Sequence, residues 1–86
     1  MIDLGTLPGD ADSFAVQINL QGQVAGYSCS GGCHAFAWNE RRGMIDLGTL
    51  GGTSSFVYAM NQKGEIAGTS DMPGDTAFHG VMWQPR

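Results

Sequence analysis

Met1-Ile2-Asp3-Leu4-Gly5-Thr6-Leu7 and Met44-Ile45-Asp46-Leu47-Gly48-Thr49-Leu50 are the same seven residues, an offset of 43 positions apart. An identity of that length makes the chain two copies of one unit, 1–43 and 44–86, and a period near forty residues is the size of one four-stranded propeller blade. Working outward, Ser13-Phe14 matches Ser55-Phe56, Asn19 matches Asn61, Gly22 matches Gly64, Val24 matches Ile66, Gly26 matches Gly68 and Ser28 matches Ser70. After a longer insertion in the second copy, His34 and Trp38 match His79 and Trp83. Length differences between the copies fall where loops are expected.

Each copy carries period-two patterning. Phe14, Val16 and Ile18 alternate with smaller or polar residues, as do Phe56, Tyr58 and Met60, which predicts half-buried strands. Asn19-Leu20-Gln21-Gly22 and Asn61-Gln62-Lys63-Gly64 place asparagine first and glycine fourth, the chemistry of a type I turn closed by a left-handed glycine, so each predicts a tight hairpin. The second strand of each hairpin, 23–28 and 65–70, carries Ala25-Gly26 or Ala67-Gly68, small residues that suit close backbone approach. A third strand, 34–39 and 79–84, and a fourth, 44–47, complete the unit. The fold predicted is all-β: two four-stranded antiparallel propeller-type blades, part of a larger β-propeller formed by oligomerisation or by missing repeats. A two-sheet sandwich is the structural alternative.

Composition narrows the function. Charged residues make up only 14% and hydrophobic residues 42%, which fits an ordered chain and excludes a solvated tail. The net charge is −4, and the four basic residues form no stripe with interleaved aromatics, so nucleic acid is not an expected partner. No run of about 18 apolar residues predicts a membrane span, and residues 1–20 lack the features of a signal peptide. Met1 to Leu4 repeats the fourth-strand sequence but stands before the first hairpin, while the second copy lacks a fourth strand of its own. The expectation is a head-to-tail homo-oligomeric ring, or further repeats of a longer chain.

The segments His34-Ala35-Phe36-Ala37-Trp38 and Met44 to Gly52, with the spaced Asn19, Gly22, Val24, Gly26 and Ser28, resemble the HAF repeat of predicted extracellular repeat proteins. Departures are Pro8 where the second copy has Gly51, and His79-Gly80-Val81-Met82-Trp83 where the pattern has His-Ala-Phe. The resemblance implies a propeller-building repeat and an extracellular or periplasmic location; it implies no reaction.

Candidate chemistry is sparse. Cys29-Ser30-Gly31-Gly32-Cys33 sets two thiols across a short turn, where a local disulfide is favoured over free thiols or a metal site shared with His34. His34 and His79 recur at the start of the third strand and read as structural donors to loop backbone. Asp3 and Asp46 read as clamps whose carboxylates accept N–H bonds from the following Gly-Thr turn. The loops 8–13 and 71–75 each hold two carboxylates; neither follows the EF-hand order, and solvated acidic turns are favoured over calcium sites. No catalytic set, metal site or cofactor motif can be assembled. Trp38 and Trp83 recur in register and are expected in packing between sheets. Tyr27 faces Thr69 in the alignment and is the aromatic freest to contact a ligand, a glycan being the candidate. The reading is a non-enzymatic repeat module acting in assembly or binding, with a lectin-like module of weak multivalent sites as the alternative.

Overall fold

A computed structural model describes residues 3–49, 53–71 and 78–84. They form seven strands: β1 (Asp12–Ile18), β2 (Val24–Cys29), β3 (Cys33–Asn39), β4 (Gly43–Gly48), β5 (Ser55–Met60), β6 (Ile66–Asp71) and β7 (Phe78–Trp83). Two antiparallel meanders result, a first sheet in the order β1-β2-β3-β4 and a second in the order β5-β6-β7. Among the described residues the first sheet has the four strands expected of a blade and the second has three.

The hairpins follow from the turn residues. Gly22 has φ 81° and Gly64 φ 87°, the left-handed conformation that favours glycine. In the first turn the Gly22 amide donates to the Asn19 carbonyl at 3.2 Å, and the Asn19 amide donates to the Gln23 carbonyl at 3.1 Å. The Asn19 side-chain oxygen also accepts the amides of Gln21 and Gln23, at 3.0 and 3.1 Å. Asn61 repeats this with Lys63 and Glu65, both at 3.0 Å. Asparagine is thus required for its acceptor oxygen, which satisfies turn amides that strand pairing leaves open.

The strict alternation expected along the first strand of each hairpin does not hold. Ala15 pairs with Gly26 and Gln17 with Ala25, so Val16 is the extra residue of a bulge; the same shift falls between Val57 and Ala59 at Tyr58. A one-residue bulge exchanges the faces of the residues beyond it. Phe14, opposite Tyr27, and Ile18, opposite Val24, therefore lie on opposite faces of the sheet. The bulge also brings the Phe14 carbonyl over Gly26 and the Phe56 carbonyl over Gly68, where an added methyl would collide with backbone.

The two sheets stack. Ala25 and Ala35 of the first sheet meet Val57 and Ile66 of the second in one buried cluster, flanked by Ala37, Leu47, Met60 and Trp83. Val24 and Phe36 lie on the opposite face of the first sheet and are covered there by the segment before β1, through Leu4 and Leu7, with Trp38 and Met44 at the margin. Trp83 accordingly packs between the sheets and Trp38 on the outer face of the first. Hydrogen bonds stitch the stack at both ends. Ala35 donates its amide to Ser55 Oγ at 2.7 Å, and Cys33 donates to Ser54 Oγ at 3.2 Å. The Leu20 amide reaches Gln62 Oε1 at 2.8 Å, and Asn19 Nδ2 reaches the Asn61 carbonyl at 3.4 Å.

Candidate functional site

Equivalent positions of the two units differ sharply in exposure, and the differences locate two open surfaces. Asn19, Ala25 and Ala35 are buried under the second sheet, whereas Asn61, Ala67 and Gly80 are exposed. In the opposite sense Val57 is 2% exposed against the first sheet, while its equivalent Ala15 is open. Met60 is half-buried and its equivalent Ile18 is 62% exposed. The outer face of the second sheet thus lacks the cover that the first sheet receives from the second. The β1 region of the first sheet lacks the cover that β5 receives from the first.

The β7 edge is the third open feature. Among the described residues β3 is flanked by β2 and β4, while β7 pairs only with β6. A cleft of about 710 Å³ lies beside this edge, lined by Ile45 and Leu47 of β4, Met82 and Trp83 of β7, and Gln23 and Arg42. Its walls are mixed apolar and polar, and Arg42 and Asp46 place one charge of each sign there.

The aspartate clamps form as the sequence suggests. Asp3 Oδ1 accepts the Gly5 amide at 2.9 Å, and Asp46 Oδ1 accepts the Gly48 amide at 2.7 Å. Gly5 and Gly48 have φ 82° and 79°, so Asp3-Leu4-Gly5 and Asp46-Leu47-Gly48 share one local conformation. Ser13 Oγ donates to the Gly5 carbonyl at 2.7 Å, and Ser55 Oγ donates to the Gly48 carbonyl at 2.8 Å. Met1 and Ile2 lie outside the described residues.

His34 meets a side chain rather than loop backbone: its Nδ1 stands 3.2 Å from Asp46 Oδ2, with both groups well exposed. His79 lies exposed at the matching place on β7. A shallow groove of about 600 Å³ beside the pair also contains Asp10, Leu7 and the Ser30-Gly31-Gly32 turn. Asp10 Oδ2 is occupied there by Ser28 Oγ at 2.7 Å, and the same hydroxyl accepts the Leu7 amide at 3.0 Å. Among the described residues no three metal-ligating side chains converge. Asp71, in the second acidic loop, accepts the Ser54 amide at 2.8 Å and the Thr53 hydroxyl at 3.0 Å. The Ser54 amide holds its pKa below the usual value. Asp75, its partner in the sequence reading, lies outside the described residues.

Cys29 and Cys33 are joined by a disulfide, their Cα atoms 4.1 Å apart as the final pair of the β2-β3 ladder. Tyr27 sits in a row of four rings that runs from one sheet to the other. Phe14 and Tyr27 are 5.2 Å apart, Tyr27 and Phe56 5.2 Å, and Phe56 and Phe78 6.2 Å, between centroids. The ends of the row are open, Phe14 at 49% and Phe78 at 58%. Phe36, by contrast, is fully buried. The Tyr27–Phe56 contact is created by sheet stacking, and no local pattern in the sequence signals it. Comparison with protein-family models, curated proteins and solved structures returned no match.

Proposed function

We propose that the chain is a non-enzymatic β-propeller repeat module of the HAF type, which acts through assembly and through ligand or protein binding. The observation that carries this reading is the paired asymmetry of exposure. The contact between the two sheets buries one face of each; the other face of the second sheet is open at Ala67 and Gly80, and that of the first, covered elsewhere by Leu4 and Leu7, is open along β1 at Ala15 and Ile18. Stacking of this sort is heterologous, so it propagates until it closes into a ring or runs on as a filament. The β7 edge, unpaired among the described residues, belongs to the same logic, because such an edge is the part of a sheet that most readily takes a partner. A disulfide in so small a unit suits an extracellular or periplasmic location.

Two charge insertions on the open faces test the proposal. Ala67→Asp and Ile18→Asp alter exposed side chains, so each variant keeps the thermal stability of the isolated chain and loses self-association in sedimentation velocity. Unchanged sedimentation of both variants, at concentrations where the parent associates, would sink the reading. The Phe14-Tyr27-Phe56-Phe78 row favours a second reading, a lectin-like module in which the exposed end rings stack on sugars. A glycan array probed with the chain, and with Phe14→Ala and Phe78→Ala, separates the two: binding lost in both variants supports the lectin reading, and silence across the array excludes it.

A further inference from the structure

We infer that the β7 edge is a docking site for the Met1–Gly5 segment of a second copy of this chain, which adds there as a fourth strand of the second sheet. The inference rests on the assembly reading above and specifies its contact. Its precedent is the contact already present inside the chain. β4 belongs to the first sheet by hydrogen bonding, yet Leu47 at its end packs into the cluster between the sheets. Leu4 already has the second half of this arrangement: it packs on the outer face of the first sheet beside Val24, Phe36 and Trp38. Among the described residues Leu4 pairs with no strand of another sheet.

The sequence of the docking segment is that of β4. Asp3-Leu4-Gly5 already holds the clamp conformation of Asp46-Leu47-Gly48, so this part of the segment meets the edge pre-shaped, which lowers the ordering cost of docking. The register follows from β3 and β4, where Ala35 pairs with Gly48, Phe36 with Asp46, Ala37 with Ile45 and Trp38 with Met44. On β7 the same register sets Gly80 opposite Gly5, Val81 opposite Asp3, Met82 opposite Ile2 and Trp83 opposite Met1. His79 then faces Asp3 as His34 faces Asp46. Ser13 Oγ, which donates to the Gly5 carbonyl as Ser55 Oγ donates to that of Gly48, stands ready to accept the Gly80 amide of the other copy, as Ser55 Oγ accepts the Ala35 amide. Main-chain pairing supplies affinity in this mode of recognition, and the alternating side chains supply register.

The test mixes two full-length single variants, Ile2→Cys and Met82→Cys, one of them isotope-labelled, under mild oxidation. Mass spectrometry then counts mixed against like-with-like disulfides, with Ile2→Cys plus Val81→Cys as the control one residue out of register. The expected result is a roughly tenfold or greater excess of the mixed product for the Met82 pair over the control, since facing side chains lie about 5 Å apart and the control pair points to opposite faces. Ser13→Ala, which leaves the clamp intact, is expected to weaken self-association by roughly 2- to 12-fold, the value of one hydrogen bond. A parent chain that associates while the two cysteine pairs cross-link equally overturns strand addition and leaves the assembly reading standing. A parent that stays a folded monomer at every concentration overturns both.

Discussion

Ser13 and Ser55 occupy the same place in the two units, and their replacement by alanine has very different consequences. Ser55 Oγ is fully buried; it accepts the Ala35 amide at 2.7 Å and donates to the Gly48 carbonyl at 2.8 Å. Ser55→Ala removes both bonds and leaves an amide and a carbonyl of the sheet contact without a partner. Each unsatisfied buried group costs about 1–3 kcal/mol, and the Gly48 carbonyl is only half-buried, so a loss of about 2–4 kcal/mol follows. In a chain of this size that lowers Tm by roughly 10–25 °C. Among the described residues Ser13 Oγ bonds the Gly5 carbonyl alone, at an exposed place where water substitutes for the lost donor. Ser13→Ala therefore costs less than about 1 kcal/mol in the dilute chain. Urea unfolding at low protein concentration, followed by tryptophan fluorescence, measures both. Equal losses for the two variants would refute the claim that stacking of the sheets makes the difference.

Three further predictions follow from local structure. Gly26→Ala drives a methyl into the Phe14 carbonyl, and the resulting backbone shift destabilises the chain by about 1–3 kcal/mol, read from the urea midpoint. Reduction of Cys29–Cys33 opens a loop of sequence separation 4; the chain-entropy relation gives a loss of about 2 kcal/mol, seen as a lower Tm with reductant than without. Asp71 has a pKa held below 3.8 by the Ser54 amide, so the unfolded chain binds its proton first as pH falls. Its contribution to stability is present above the ordinary carboxylate range and is lost as pH drops through the lower folded value. Asp71→Asn should flatten that acid limb of the stability curve, and an unchanged limb would assign the effect elsewhere.

The hairpins and clamps were legible in the sequence because each depends on residues close together in the chain. Asparagine and glycine three positions apart define the turn from Asn19 to Gly22, and aspartate two residues before glycine defines the clamp at Asp3 and at Asp46. The bulges were not legible, since Val16 and Tyr58 continue the alternation of apolar residues and only pairing with β2 and β6 reveals the extra residue. Nor did the repeat pattern distinguish Ala25 from Ala67 or Val57 from Ala15. Those pairs hold equivalent places in the repeat, and their exposure is set by whether another sheet lies against them. The aromatic row escaped for the same reason. Tyr27 was identified as unconstrained by the repeat, but its contact with Phe56 crosses from one sheet to the other. The recurrence of His34 and His79 in both units points to a donor to loop backbone, whereas the meeting of His34 with Asp46 depends on the register of β3 against β4.

The central claim is that the stack of two sheets continues from chain to chain. Light scattering on the purified chain across a wide concentration range tests it most directly, against a monomer mass of 9.1 kDa. The account predicts a discrete multiple, such as three or four chains, that persists on dilution into the micromolar range. A well-folded species at the monomer mass throughout would contradict it.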